Sequence, residues 1–314
     1  MLLRTILAAT TVAAALLTPA GAAVAAPTSS AATGATSAAV SSAATTATSA
    51  AVSSAAIGAT SVRAGGAVPA AGVTGGTAAA EPVAPVNAAT RAANAAGNPV
   101  VVVGGLIGVS IAYEPIAARL RADGYRTSIY QLPNLGFGDI RESARALSSY
   151  LDGVRAATGA TKVDLVTHSE GGLVSRYYLK LLGGADKVDH YVSLGTPQQG
   201  TYVANIINFV GLGSCAGIVA CQQMSIGSSL LADLNAGDDT PGAVRWTTVR
   251  TLQDELVRPT GNATLADGAT NVLIQAYCPL RVVGHLGLVL DGTTYTVVRQ
   301  ALTNTAIRPN CLAL

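Results

Sequence analysis

Four consecutive valines, Val100 to Val103, run straight into Gly104 and Gly105, and this stretch constrains the fold more than any other. Alternate side chains of a strand point to opposite faces of a sheet, so a run that is β-branched at every position must be covered on both sides. The following segments supply that cover. "YEPIAARLRADG" places Pro115 near a helix start and Gly124 where a helix would stop. "YRTSIYQL" reads as a second strand. "DIRESARALSSYLDGVRAATG" sets Ile140, Ala144, Leu147, Leu151 and Val154 three or four apart, one apolar helix stripe closed by Gly159. "KVDLVT", "GGLVSRYYLKLLGG" and "KVDHYVSLG" continue as strand, helix and strand. This alternation predicts an α/β architecture, a mainly parallel sheet with helices on both faces. Past Thr196 the rhythm lapses, until "VRWTTVRTLQ" and "TNVLIQAY" resume as strands and "TYTVVRQALTN" supplies a last helix.

The residues before Val100 are of another kind. Residues 1–25 carry Arg4, an apolar run from about Ile6 to Leu17, a break at Pro19 and small residues at Ala23-Val24-Ala25, the pattern of a secretory signal peptide. The run falls short of the roughly 20 residues that span a bilayer, so no transmembrane segment is expected in the mature chain. Residues 26–98 are mostly Ala, Ser, Thr and Gly, the block "ATSAAVSSAA" occurs twice, and no aromatic residue precedes Tyr113. Such small side chains bury too little area to offset backbone ordering, about 1 to 2 kcal/mol per residue, and the segment reads as a disordered linker or stalk, with partial helix left open by its alanines. Residues 99–314 remain as one domain large enough for a sizeable core.

A formal net charge of +2 leaves no basic footprint for nucleic acid. Cys215, Cys221, Cys278 and Cys311 belong to a chain that reads as exported, where thiols oxidise to disulfides. Of the three pairings, 215 with 221 and 278 with 311 close the shorter loops. No C-x-x-C spacing is present and the three histidines are scattered, so neither a metal nor an organic cofactor is marked.

Ser169 sits where the strand "KVDLVT" gives way to a helix. A strand-to-helix turn that lifts a serine above a sheet needs small residues two places to either side, usually as G-x-S-x-G. Here the sequence is Thr167-His168-Ser169-Glu170-Gly171-Gly172, with threonine at the first position. The turn points to a nucleophile, and a serine hydroxyl needs a base to become one. His168 adjoins the serine, where consecutive side chains diverge, and His190 lies inside a strand. His285, in a glycine-flanked loop after the last predicted strand, fits the chain order serine, acid, histidine. Asp254, near the end of a strand-like stretch, is the expected acid; Glu255 is its neighbour and competitor, with Asp238, Asp239 and Asp267 in loops. The oxyanion donors are expected to be the N–H groups of Glu170, at the helix start, and Leu106, after the first strand, with Ile107 one residue away as an alternative. The apolar stretch Tyr202 to Val219 reads as an acyl-pocket wall, a lid or plain core.

"VVVVGGLIG", "YEPIAARLRADGY", "VDLVTHSEGGLVSRYYL", "YVSLGTPQQGT", "LQDELVRP" and "GHLGLVLDGTTY" together resemble the secreted bacterial lipases of the lipase class 2 group, and are similar to the fungal lipase B type, which has threonine at the position of Thr167. The resemblance covers about two thirds of the chain and excludes the linker. It implies an α/β-hydrolase fold, carboxylic ester hydrolysis on an ester or lipid substrate, and a triad of Ser169, Asp254 and His285. An acyltransferase, thioesterase or polyester hydrolase would use the same triad. An inactive, wall-displayed binding domain is a third reading, although a decayed site is expected to have lost at least one of these residue types.

Overall fold

The four valines divide their side chains as the pattern requires. Val101 and Val103 pack into one hydrophobic core and Val100 and Val102 into another, on the opposite face of the sheet. The computed structural model describes residues 86–211, 215 and 217–314. The expected signal peptide and most of the expected linker lie outside the described residues.

The strands β1 (Val100–Val103), β2 (Thr127–Tyr130), β3 (Val163–His168), β4 (Val188–Leu194), β5 (Arg245–Arg250) and β6 (Thr270–Leu273) form one sheet. Their order is β2-β1-β3-β4-β5-β6, and every neighbouring pair is parallel. Among the described residues the helices are α1 (Ala88–Ala96), α2 (Glu114–Ala122), α3 (Ile140–Thr158), α4 (Glu170–Leu181), α5 (Val203–Val210), α6 (Val219–Gln223), α7 (Ser229–Leu234), α8 (Ile274–Tyr277) and α9 (Gly292–Leu302). The helices α3 and α4 cover the face of Val101 and Val103, with Leu147, Leu151, Leu173 and Tyr178 buried there. Ile116 and Leu120 of α2 and Val297 and Val298 of α9 cover the other. The long helix α3 starts where Asp139 accepts the Arg141 N–H at 2.7 Å and stops at Gly159, whose φ of 68° breaks the helix. None of the described helices is long and apolar enough to cross a membrane.

Two expectations need correction. Residues 88–96, within the stretch expected as a disordered linker with partial helix as the open alternative, form α1, because the helix is tied down. Asn87 caps it by accepting the Thr90 N–H at 2.8 Å, and Asn94 donates to the Asp123 carbonyl at 2.7 Å, docking α1 on the end of α2. The stretch "TNVLIQAY" is strand only as far as Leu273; Ile274 onward turns into α8. There the Gln275 amide is drawn to the Thr251 hydroxyl and the Arg281 carbonyl, both at 3.0 Å.

Candidate active site

The sheet's central strand β3 ends at His168, and the next residue breaks the backbone pattern. Ser169 has φ 53° and ψ −129°, a conformation that costs a residue with a Cβ about 1 to 3 kcal/mol. It is held there by its own N–H on the Leu194 carbonyl and by the Gly172 N–H on its carbonyl, both 3.0 Å. The two glycines that matter are matters of space. A Cβ on Gly171 would stand 2.7 Å from the Val103 carbonyl oxygen, and one on Gly105 would stand 2.8 Å from the Ser169 Cβ. Thr167 is accommodated because its hydroxyl, 3.5 Å from the Val192 carbonyl oxygen, lies within the sheet rather than in the turn.

His285 and Asp254 arrive from loops beyond β6 and β5. Asp254 lies four residues past the end of β5, and its Oδ1 accepts the N–H groups of Leu256 at 2.9 Å and Val257 at 2.7 Å. Those bonds aim the carboxylate at the imidazole: His285 Nδ1 is 3.0 and 3.1 Å from its two oxygens. Both residues are buried. A carboxylate so placed selects the tautomer with hydrogen on Nδ1. Ser169 and His285 line one cavity of about 530 Å³, whose walls include Leu106, Ile107, Ile111, Tyr113, Leu286, Val289 and Leu290.

The competitors for the acid role are engaged elsewhere. Glu255 Oε2 accepts the backbone N–H of His285 at 2.9 Å, a holding role that nothing in its sequence position announces. Asp239 pairs with the buried Arg176 at 2.6 Å, Asp267 accepts the Asp239 N–H at 2.8 Å and Asp238 accepts the Thr240 N–H at 2.9 Å. Around the oxyanion position, the Ile107 N–H is spent on the Leu135 carbonyl at 2.8 Å, which leaves Leu106 as the candidate on this loop. Leu106 is the neighbour of Gly105, which packs on Ser169. The side chain of Glu170 is fully buried with neither carboxyl oxygen hydrogen-bonded, and burial holds its pKa well above the usual carboxylate range.

None of the described residues in 202–219 lines this cavity. Ile206 of α5 packs into the core shared with α4, α6 and α7 instead. The cavity wall comes from the loop after β1 and the turn after His285, where apolar residues are too few in a row to stand out in sequence. Disulfides join Cys215 to Cys221 and Cys278 to Cys311, and the second, between cysteines 33 positions apart, closes a loop that contains His285. Asp164, Asp189 and His190 bring ligand-type atoms within 4.8 Å of one another, but Arg245 holds Asp189 at 2.6 Å and both nitrogens of His190 are hydrogen-bonded.

A family model described as Lipase (class 2) matches residues 97–285, a span that takes in the serine turn and ends on His285. The chain belongs to the class 2 lipase family. The chain is 25% identical over 198 residues to Lipase B of Pseudozyma antarctica, covering 61% of this chain and 56% of that one. It is 31% identical over 192 residues to a triacylglycerol lipase of Burkholderia plantarii, covering 58% and 52%. The chain thus spans about half the length of these relatives. Among solved structures, it is similar to Aspergillus fumigatus lipase B, with a TM-score of 0.58 at 18% identity over 68% of this chain and 53% of that one. The mature form of the Bacillus licheniformis lipase BlEst2 gives 0.52 at 19% identity over 73% and 97%. The shared fold is that of the α/β-hydrolases.

Proposed function

We propose that this class 2 lipase hydrolyses carboxylic esters through an acyl-enzyme on Ser169. His285 takes the Ser169 proton as the hydroxyl attacks the ester carbonyl, and Asp254 stabilises the imidazolium that forms. The N–H groups of Leu106 and Glu170 receive the developing oxyanion, the second with the added field of the α4 N-terminus. His285 then hands its proton to the leaving alcohol, and water repeats the sequence to release the acid.

The observation that carries this reading is that His285, paired with the buried Asp254, lines one cavity with a backbone-strained serine. The aliphatic wall suits an acyl chain. Ile111, Leu286 and Leu290, at 77%, 51% and 50% exposure, leave the mouth of the cavity apolar, as a substrate presented at a lipid–water interface would require. Two disulfides and the signal-like residues 1–25 support secretion. The test is a chain-length series of nitrophenyl esters with wild type and Ser169→Ala. Wild type is expected to hydrolyse them and the variant to lose the activity; equal rates in the two proteins, or none in either, would sink the reading.

A further inference from the structure

His168 takes no part in the reaction proposed above, yet it is buried between two elements that do. Its Nε2 is 3.1 Å from the backbone carbonyl oxygen of His285, and its Nδ1 is 3.1 Å from the Tyr113 hydroxyl. A carbonyl only accepts, so Nε2 carries the hydrogen. In a neutral ring Nδ1 then accepts, and the Tyr113 O–H donates to it. Tyr113 in turn accepts the Gly105 N–H at 2.8 Å. The donors all run one way: Gly105 N–H to Tyr113, Tyr113 O–H to His168, His168 N–H to the His285 carbonyl. Gly105 directly precedes Leu106, so the two ends of the relay are the oxyanion loop and the base.

We propose that His168 is a positioning residue whose neutral imidazole fixes the backbone of His285 and, through Tyr113, the loop that carries Leu106. The proposal rests on the ester-hydrolase reading for its kinetic consequences, and on the hydrogen-bond geometry alone for its structural ones. His285 is gripped at three atoms: Nδ1 by Asp254, N–H by Glu255 and carbonyl by His168. Its ring also lies 4.8 Å from the His168 ring, centroid to centroid. The Leu288 N–H reaches the same carbonyl at a longer 3.4 Å, so the 3.1 Å bond from His168 is the tighter of the two, and its loss loosens the backbone that carries the imidazole.

The charge state agrees with the relay. Burial, with the neighbouring His285 acting in the same direction, pulls the His168 pKa down to about 3. Burial pushes the Tyr113 hydroxyl up to about 12, so it keeps the proton it donates. The titratable groups facing His168 are Tyr113, His285 and Asp254, with Glu170 facing Tyr113. A proton on Nδ1 would turn a second donor toward the Tyr113 oxygen and leave the tyrosine hydrogen without its acceptor.

Three variants separate positioning from packing. In His168→Gln the side-chain amide nitrogen reaches the place of Nε2 and restores the bond to His285. In His168→Asn the shorter amide meets Tyr113 only, and His168→Leu fills space without either bond. The expected result is a kcat about tenfold to a hundredfold lower for Leu and Asn, on the scale of a misplaced catalytic group. KM for a soluble short-chain ester should hold within about twofold, and Gln should recover most of kcat. Equal losses in all three, or wild-type kcat in the Leu variant, would overturn the proposal. Should Leu fail to fold, the Gln and Asn pair and the ring spectrum decide. Nitrogen NMR of the folded wild type is expected to show His168 neutral, with hydrogen on Nε2, from about pH 5 to about pH 8, where an ordinary histidine titrates. A charged ring at about pH 6, or hydrogen on Nδ1, would overturn it whether or not the protein hydrolyses esters. If the spectrum is as expected and no ester is cleaved, only the functional reading fails.

Discussion

Two buried aspartate–histidine pairs stand at opposite ends of the same sheet. Beyond the carboxyl ends of the strands, His285 Nδ1 is 3.0 Å from Asp254; at the amino ends, His190 Nδ1 is 2.9 Å from Asp164. By pair geometry they are alike. What differs is the company each keeps. His190 turns its other nitrogen to the amide oxygen of Asn304 at 3.2 Å, and its aspartate also holds Asn98 and the His190 backbone, so the cluster ties β3, β4 and the end of α9 together. His285 instead shares an apolar cavity with a serine held at positive φ. An aspartate on Nδ1 is therefore no mark of catalysis by itself, and neither is a cavity, since His190 and Asp164 line one too; a strained serine in an apolar-walled cavity is what sets the first pair apart.

The same substitution at both ends should separate the two most sharply. Asp254→Asn is expected to lower kcat per folded molecule about 10⁴-fold, because an amide on Nδ1 favours the wrong tautomer, on top of whatever stability it loses. Asp164→Asn is expected to leave kcat per folded molecule unchanged and to cost about 1.5 to 3 kcal/mol of stability, the scale of a hydrogen bond to a charged group. Activity loss in both, or in neither, would erase the distinction.

The carboxyl end should also carry a cost that the amino end does not. The Glu170 side chain is buried with no hydrogen bond on either oxygen, and burial raises its pKa well above the ordinary value. Folding at neutral pH must then take up a proton that the unfolded carboxylate has lost. Above the unfolded pKa the folded state binds more protons, so stability falls as pH rises, by about 1.4 kcal/mol per pH unit, until the folded pKa is reached. Glu170→Gln is expected to raise the melting temperature at neutral pH and to flatten that slope between about pH 5 and the folded pKa. A parallel-shifted curve with the slope intact would mean the carboxyl is ionised in the fold.

How much of this could be read from the chain alone follows from the range of the forces involved. The two-faced burial of Val100 to Val103, the helix from Ile140 and the turn at Ser169 were legible because each is written in residues a few places apart. Helix α1 was not, since its stretch is alanine-rich like the linker, and what orders it is the bond from Asn94 to Asp123, 29 residues away. The apolar run 202–219 left pocket wall, lid and core open, because composition does not say what an apolar stretch packs against; Ile206 there is core. The relay through Tyr113 and His168 spans 55 residues and then 117, and the task of Glu255 reaches across 30. No local pattern encodes such contacts, although a buried histidine beside a strained serine is a reason to ask what it holds.

The smallest effect concerns the charge on His190 and bears most directly on the contrast with His168. Burial alone would lower the His190 pKa, but the hydrogen bond and charge of Asp164, joined by Asp189 and Asn304, outweigh it and the net shift is upward. His168, with a tyrosine and a carbonyl for partners, goes the other way. A raised folded-state pKa means that the stabilisation is fully present below the unfolded value of about 6.5 and is lost as pH rises through the folded value. Wild type should therefore exceed His190→Gln in urea midpoint at about pH 6, and the gap should narrow on the alkaline side. Taking the difference between the two proteins cancels the Glu170 slope, which both share. A gap that stays constant, or widens with pH, would mean that His190 folds neutral. The two buried histidines would then be alike in charge, and only the site around His285 would distinguish one end of the sheet from the other.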